Sequence, residues 1–217
     1  MKTSPTTTTT TTTTAIAAVL GAAALWSLPP PATALAVVGQ PAPAFTATDV
    51  DGRRVSLADF KGRHILLEWV NPGCPYVRKH YSARNMQATQ QSAVGTGGVA
   101  WLAANSTHPD HVDHLSPPQM ARWMQQQGGA PTATLMDEDG SVGRAYGART
   151  TPHLFVVDPR GTLVYAGAID DRPSANPADI AGATNHVKTA LAQSLAGQPV
   201  APATTRAYGC SVKYGGG

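Results

Sequence analysis

The sequence predicts an α/β domain, with a central mixed β-sheet flanked by helices and an N-terminal β-hairpin extension. Three observations predict it. Two apolar runs, His64 to Val70 and Val99 to Ala104, are bounded by turn signals and have the length of buried central strands. Segments with helical spacing follow them, the alternation expected when helices cover a sheet. Finally, Leu154 to Val157 and Thr162 to Ala168 flank the turn Asp158-Pro159-Arg160-Gly161, a hairpin that makes the sheet mixed.

The elements follow in order. Val37 to Ala44 is a Pro-rich lead-in. Phe45 to Val50 and Arg53 to Ser56, joined at Asp51-Gly52, read as a small hairpin. Leu57 to Phe60 gives one helical turn, ended by Gly62. Asn71-Pro72-Gly73 breaks the first buried strand, and Cys74-Pro75 opens a helix that runs towards Gln91. Asn105 to Leu115 is a polar loop. Ser116 then supplies an N-cap and Pro117 the first helical position for a helix reaching Gln127. A short strand over Thr132 to Met136 and a short helix over Ser141 to Tyr146 precede the hairpin. Ile180 to Leu195 carries apolar residues at helical spacing. Beyond Gly197 the chain is rich in Pro, Ala and Thr and ends in three glycines. Residues 197–217 therefore read as a flexible tail, and that tail carries Cys210.

At 217 residues the chain suits one well-buried domain, and its 42% hydrophobic content can supply the core. The net charge of +3 comes from scattered Lys and Arg, with no basic stripe of the kind that binds nucleic acid. Residues 1–36 read as an export signal. Lys2 precedes a threonine tract, Ala15 to Leu28 is apolar, and Ala34-Leu35-Ala36 is a small-x-small cleavage pattern. That run is too short to span a bilayer comfortably, so no membrane association is expected once it is removed, and the protein is expected to be periplasmic or secreted. Residues 37–196 remain as the folded domain.

Only two cysteines occur, Cys74 and Cys210. In an oxidising compartment they can form a structural bridge, but the setting of Cys74 favours reactivity. It sits where a helix begins, so unpaired N–H groups and the helix dipole stabilise a thiolate, with Arg78, Lys79 and His80 close behind. Such an anion must be accessible to react. Glu68 lies in the apolar run six residues earlier. Burial raises the pKa of a carboxylate, which suits proton exchange with a thiol, unless the strand is an edge and Glu68 reaches water. Thr151-Pro152 stands at the mouth of a strand, where a cis peptide would place backbone groups beside the sulfur.

These residues resemble a known family. Phe45 to Tyr81, with Asp51-Gly52-Arg53-Arg54-Val55-Ser56-Leu57, the apolar strand and Cys74-Pro75, is similar to the redoxin branch of the thioredoxin superfamily. That branch includes alkyl hydroperoxide reductase/thiol-specific antioxidant proteins and thiol–disulfide proteins. The similarity continues through Tyr146-Gly147 and Thr151-Pro152 to Gly161. It implies a thioredoxin-like fold and reduction of peroxides or protein disulfides, with an external thiol donor and no cofactor. It also implies a nucleophilic role for Cys74, a cis-proline at Pro152 and a buried acid at Glu68. The sequence departs from the family at three places. Val77 stands where a second site cysteine belongs, Asn71 where Thr or Ser would bind peroxide, and Leu67 replaces a motif proline. Asn71 can still donate a hydrogen bond, and Arg149 is the candidate peroxide-polarising guanidinium. Cys210 is the candidate resolving thiol, condensing with oxidised Cys74. A static bridge, or a tail cysteine with no contact to Cys74, remains open.

His108, His111 and His114, with Asp110 and Asp113 between them, have a spacing that could bind Zn or Cu, but Pro109 and Pro117-Pro118 favour an irregular solvated loop. Together with Cys74, His80 and His153 they support an alternative function, a copper-handling module on the same fold. The absence of a Cys-x-x-x-Cys pair counts against it. A further alternative is a non-catalytic protein stapled by Cys74 and Cys210. Asp170-Asp171 reads as a solvated turn.

Overall fold

The computed structural model describes residues 1–4, 35–95 and 97–216. The chain divides into two units, Met1–Ala32 and Thr33–Gly217, and every element below belongs to the second. Most of the expected export signal, residues 5–34, lies outside the described residues.

The strands are β1 (Thr46–Asp49), β2 (Arg54–Ser56), β3 (His64–Trp69), β4 (Val99–Asn105), β5 (Ala133–Met136), β6 (Thr150–Thr151), β7 (His153–Val157), β8 (Leu163–Gly167) and β9 (Cys210–Ser211). The α-helices are α1 (Pro75–Ser82), α2 (Asn85–Val94), α3 (Pro117–Gln127), α4 (Ser141–Tyr146) and α5 (His186–Leu195). Among the described residues, seven strands form one sheet in the order β2-β1-β5-β4-β3-β7-β8. Strand β3 runs parallel to β4 and antiparallel to β7, so the sheet is mixed, as expected for the thioredoxin-like layout.

Strand β3 is buried along its whole length because it is central and covered on both faces. Alternation divides its side chains. Leu66 and Val70 pack with Trp101, Val77, Tyr81, Met86 and Leu191 on one side. Ile65, Leu67 and Trp69 pack with Phe45, Val142, Tyr146 and Phe155 on the other. Glu68 shares the parity of Leu66 and Val70, which places a carboxylate beneath α1 and α2. An edge position for Glu68 is thereby corrected.

The single helix expected from Cys74 towards Gln91 is two helices. Arg84 adopts φ 61 and ends α1 with no glycine or proline to announce the break. The side-chain amide of Gln87 donates to the freed carbonyl of Tyr81 at 2.8 Å and to that of Gln127 at 2.6 Å. Left-handed backbone disfavours a long L-residue, so Arg84→Asn is expected to stabilise the protein by about 0.5 kcal/mol. A thermal midpoint that falls in this variant would show that the Arg84 side chain contributes more than its backbone costs.

The last helix also starts later than expected. Pro177–Gly182 forms a 3-10 turn, and α5 begins only after Asn185, whose side chain accepts from Lys188 N at 2.9 Å.

Residues 197–216 lie along the domain. Thr205 Oγ1 accepts from Ala168 N at 2.9 Å and lies 2.6 Å from the Tyr165 hydroxyl. His108 N donates to Lys213 O at 2.8 Å, and the Tyr214 hydroxyl donates to Ala148 O at 2.8 Å. Between these anchors β9 pairs antiparallel with β6, with Thr151 opposite Cys210. Two-residue strands carry no sequence period, and neither was expected.

Candidate active site

Cys74 is the N-cap of α1, with extended backbone at φ −80 and ψ 122, and Pro75 occupies the first helical position. The preceding turn is held from within. Asn71 O accepts from Cys74 N at 3.0 Å, and Asn71 Oδ1 accepts from Gly73 N at 2.7 Å. A helix thus opens directly behind the sulfur, as the sequence indicates.

What covers the sulfur differs from expectation. Cys74 is only 1% exposed, not open to solvent. Its Sγ lies 3.0 Å from Thr151 O and 2.7 Å from Sγ of Cys210. The cover is the β6 backbone and another thiol, the latter carried on the C-terminal arm. Both cysteines are free thiols, 136 positions apart in sequence. Burial pushes the Cys210 thiol up to about 12, helped by its hydrogen bond with Cys74 and by charge at that residue. Lys213 acts against this rise and Asp113 adds to it. Cys210 therefore keeps its proton near neutral pH, and the Cys74 thiol donates towards it.

Thr151–Pro152 is a cis peptide bond. The Thr151 carbonyl faces Cys74, and its buried Oγ1 has no hydrogen-bond partner. Glu68 is fully buried. It accepts from Trp101 Nε1 at 2.8 Å, from the Tyr81 hydroxyl at 3.0 Å and from Gln90 Nε2 at 3.3 Å. Burial raises its pKa to about 7 against the pull of these donors. Its hydrogen-bond partners are these three side chains.

The two expected peroxide contacts differ in setting, with Asn71 buried and Arg149 at the surface. The Asn71 amide donates one of its two hydrogens to Asp113 Oδ2 at 3.1 Å, in the polar loop. Arg149 is exposed. It stands near His153, which burial and then the Arg149 charge lower to about 4.

The cations behind Cys74 are also redirected. Arg78 Nε donates to Pro72 O at 2.9 Å, while Lys79 and His80 are buried. Lys79 Nζ lies 3.7 Å from Asp170 Oδ2 and donates to Arg172 O at 2.7 Å. Asp170 is 2% exposed, which corrects the solvated turn expected there. A buried lysine 91 positions away accounts for that burial, and nothing local in the sequence announces it.

The three loop histidines do not converge. His108 Nδ1 accepts from Asp110 N at 3.2 Å, His111 Nδ1 from Asp113 N at 3.1 Å, and His114 Nε2 lies 2.9 Å from Glu138. Among the described residues no three His, Cys, Asp or Glu side chains are placed to hold a metal ion.

A family model described as AhpC/TSA family matches residues 38–166. The chain belongs to the AhpC/TSA family. The matched domain is that of a thiol-based oxidoreductase. Within and around the family, a putative peroxiredoxin of Mycobacterium tuberculosis is 30% identical over 145 residues, covering 59% of this chain and 82% of its own. The thiol-disulfide oxidoreductase ResA of Bacillus subtilis is 26% identical over 126 residues, 58% of this chain. The match spans 64% of that relative's length. Among solved structures, a hypothetical protein of Sinorhizobium meliloti superposes with a TM-score of 0.69 at 26% identity, over 83% of this chain and 96% of that one. An uncharacterized conserved protein of Geobacillus kaustophilus gives 0.70 at 28% identity, over 83% and 94%.

Proposed function

We propose that the protein is an exported dithiol oxidoreductase that reduces disulfides through Cys74 and is resolved by Cys210. The observation that carries this reading is the 2.7 Å approach of the two sulfurs at the start of α1. The Cys74 thiolate attacks a substrate disulfide R–S–S–R′, forming Cys74–S–S–R and releasing R′S⁻, which takes up a proton. Cys210 then attacks the Cys74 sulfur. The Cys74–Cys210 bond forms, RS⁻ leaves, and the proton held on Cys210 goes to it. Two electrons pass from the protein thiols to the substrate, and an external thiol donor restores them.

Disulfides are favoured over peroxides by the Asn71 amide, which already donates to Asp113, and by the exposed setting of Arg149. A peroxide would give a sulfenic acid at Cys74, and condensation with Cys210 would release water. Export rests on the sequence of residues 1–36, with the mature chain starting at Val37. No helix among the described residues is long and apolar enough to cross a membrane.

The test is to mix the reduced protein with oxidised glutathione, and separately with hydrogen peroxide, and map the products by peptide mass spectrometry. A Cys74–Cys210 link is expected. Cys210→Ser is expected to stall as a glutathione adduct at Cys74, with turnover lowered at least about tenfold. A Cys74→Ser protein that retains turnover would refute the reading. Oxidation by peroxide no faster than that of free cysteine would confine the substrate to disulfides.

A further inference from the structure

A buried cluster of charged and polar groups lies behind the cysteine pair, and disulfide exchange as written above makes no use of it. Helix α1, which presents Cys74, also carries Tyr76, Lys79 and His80. The arm, which presents Cys210, carries Tyr208 two residues earlier. The Tyr208 hydroxyl donates to Asp170 Oδ1, which also accepts from Arg172 N at 3.0 Å. Asp170 Oδ2 has no hydrogen-bond partner, but Lys79 Nζ lies 3.7 Å away and His80 Nε2 3.9 Å away. His80 Nδ1 lies 2.8 Å from the Asn85 amide nitrogen, and His80 Nε2 lies 3.2 Å from the Tyr208 hydroxyl. The Tyr208 ring packs edge-on to Tyr76 with centroids 5.9 Å apart, and Lys79 Nζ lies 5.5 Å from the Tyr208 ring centre.

These contacts have one consistent set of proton positions. The Asn85 amide donates to His80 Nδ1, so the ring hydrogen is on Nε2 and points at the Tyr208 oxygen. The Tyr208 hydrogen points at Asp170. Burial lowers His80 to about 4, which keeps the ring neutral and the chain of donors intact near neutral pH. Lys79 supplies the positive charge opposite the buried carboxylate, without which Asp170 would be costly.

We propose that Tyr208 and Asp170 are positioning residues: their hydrogen bond, backed by Lys79 and His80, latches the arm to α1 and seats Cys210 on Cys74. The proposal rests on the reading that Cys210 resolves oxidised Cys74. It makes two steps respond oppositely. Attack of Cys74 on an outside disulfide requires the arm to lift, so a weaker latch speeds it. Displacement of the outside thiol by Cys210 requires the arm to be seated, so a weaker latch slows it. Bonds and electrons in both steps are those of the exchange given above. General loss of structure would not move the two steps in opposite directions.

The experiment is rapid-quench reaction of the reduced full-length protein with oxidised glutathione. It measures second-order adduct formation at Cys74 and first-order release of glutathione. In Tyr208→Phe and Asp170→Asn, adduct formation is expected to rise about tenfold and release to fall about tenfold, the scale of one buried hydrogen bond to a charged group. Rates within twofold of wild type, or both steps slowed together, would overturn the latch. Should Asp170→Asn fail to fold, Tyr208→Phe, which removes a single oxygen from a half-buried arm residue, decides alone. Glutathione release that persists in Cys210→Ser would instead defeat the resolving role of Cys210, and the first step would then decide the latch.

Discussion

Gly209→Ala is expected to unseat the arm and slow formation of the Cys74–Cys210 disulfide at least about a hundredfold. Gly209 adopts φ +134, a conformation that L-residues rarely enter. Its backbone also passes directly over β6. A methyl group there would overlap the Thr151 carbonyl oxygen and come within 2.8 Å of the carbonyl carbon. Both obstacles are main chain of the segment that faces Cys74, so neither yields by a side-chain rotation. The strain alone costs about 1–3 kcal/mol, and the overlap adds to it. Relief comes only by separating β9 from β6, which removes Cys210 from the sulfur it covers. Alkylation of Cys74 in the reduced variant should quicken accordingly, while the circular dichroism of the seven-stranded sheet is retained. Disulfide formation at the wild-type rate would mean that the arm reaches Cys74 by another path.

Glu68→Gln is expected to stabilise the protein by about 3 kcal/mol at pH 8 and by almost nothing at pH 4.5. The folded chain holds the Glu68 proton up to about pH 7, whereas the unfolded chain releases it near the ordinary carboxylate value of 4.5. Between those limits the folded state binds more protons, so stability falls as pH rises, and above pH 7 the full penalty applies. The size follows from about 1.4 kcal/mol per unit of pKa difference. An amide keeps an oxygen for Trp101 and Gln90. The Tyr81 hydroxyl, also 3.7 Å from Met124 Sδ, can turn its hydrogen there and accept from the new amide. His80 and His153 act in the opposite sense. Each is held near 4 by burial, so each removes stability as pH falls from 6.5 towards 4. Both are common to the two proteins and cancel in the difference. Urea unfolding of the pair at several pH values measures it, and a difference independent of pH would show that Glu68 is ionised at little cost.

Much of the scaffold was legible because its signals are local. The strand His64–Trp69, the Ser116-Pro117 helix start and the Asp158–Gly161 turn each announce themselves within a few residues. In the last case Asp158 Oδ1 accepts from both Arg160 N and Thr162 N. Cys74 at a helix start was legible for the same reason. The break at Arg84 was not, since its capping group, Gln87, reads as an ordinary helical residue. The cover over Cys74 was not, since it depends on a pairing between residues 151 and 210. Lys79 and His80 look like solvated positive charge near a thiol until Asp170, about 90 residues later, draws them inward. Charge in a sequence has a sign but no direction, and direction is what the fold adds.

Because the two sulfurs meet across 136 positions of chain, joining them changes the kind of polymer this is. The reduced molecule is a linear thread pinned to itself by weak contacts. The joined molecule is a ring that encloses β4 through β8, with β1 to β3 on a free end outside it. Heat or urea can open the first completely, but the second only as far as its own circumference allows.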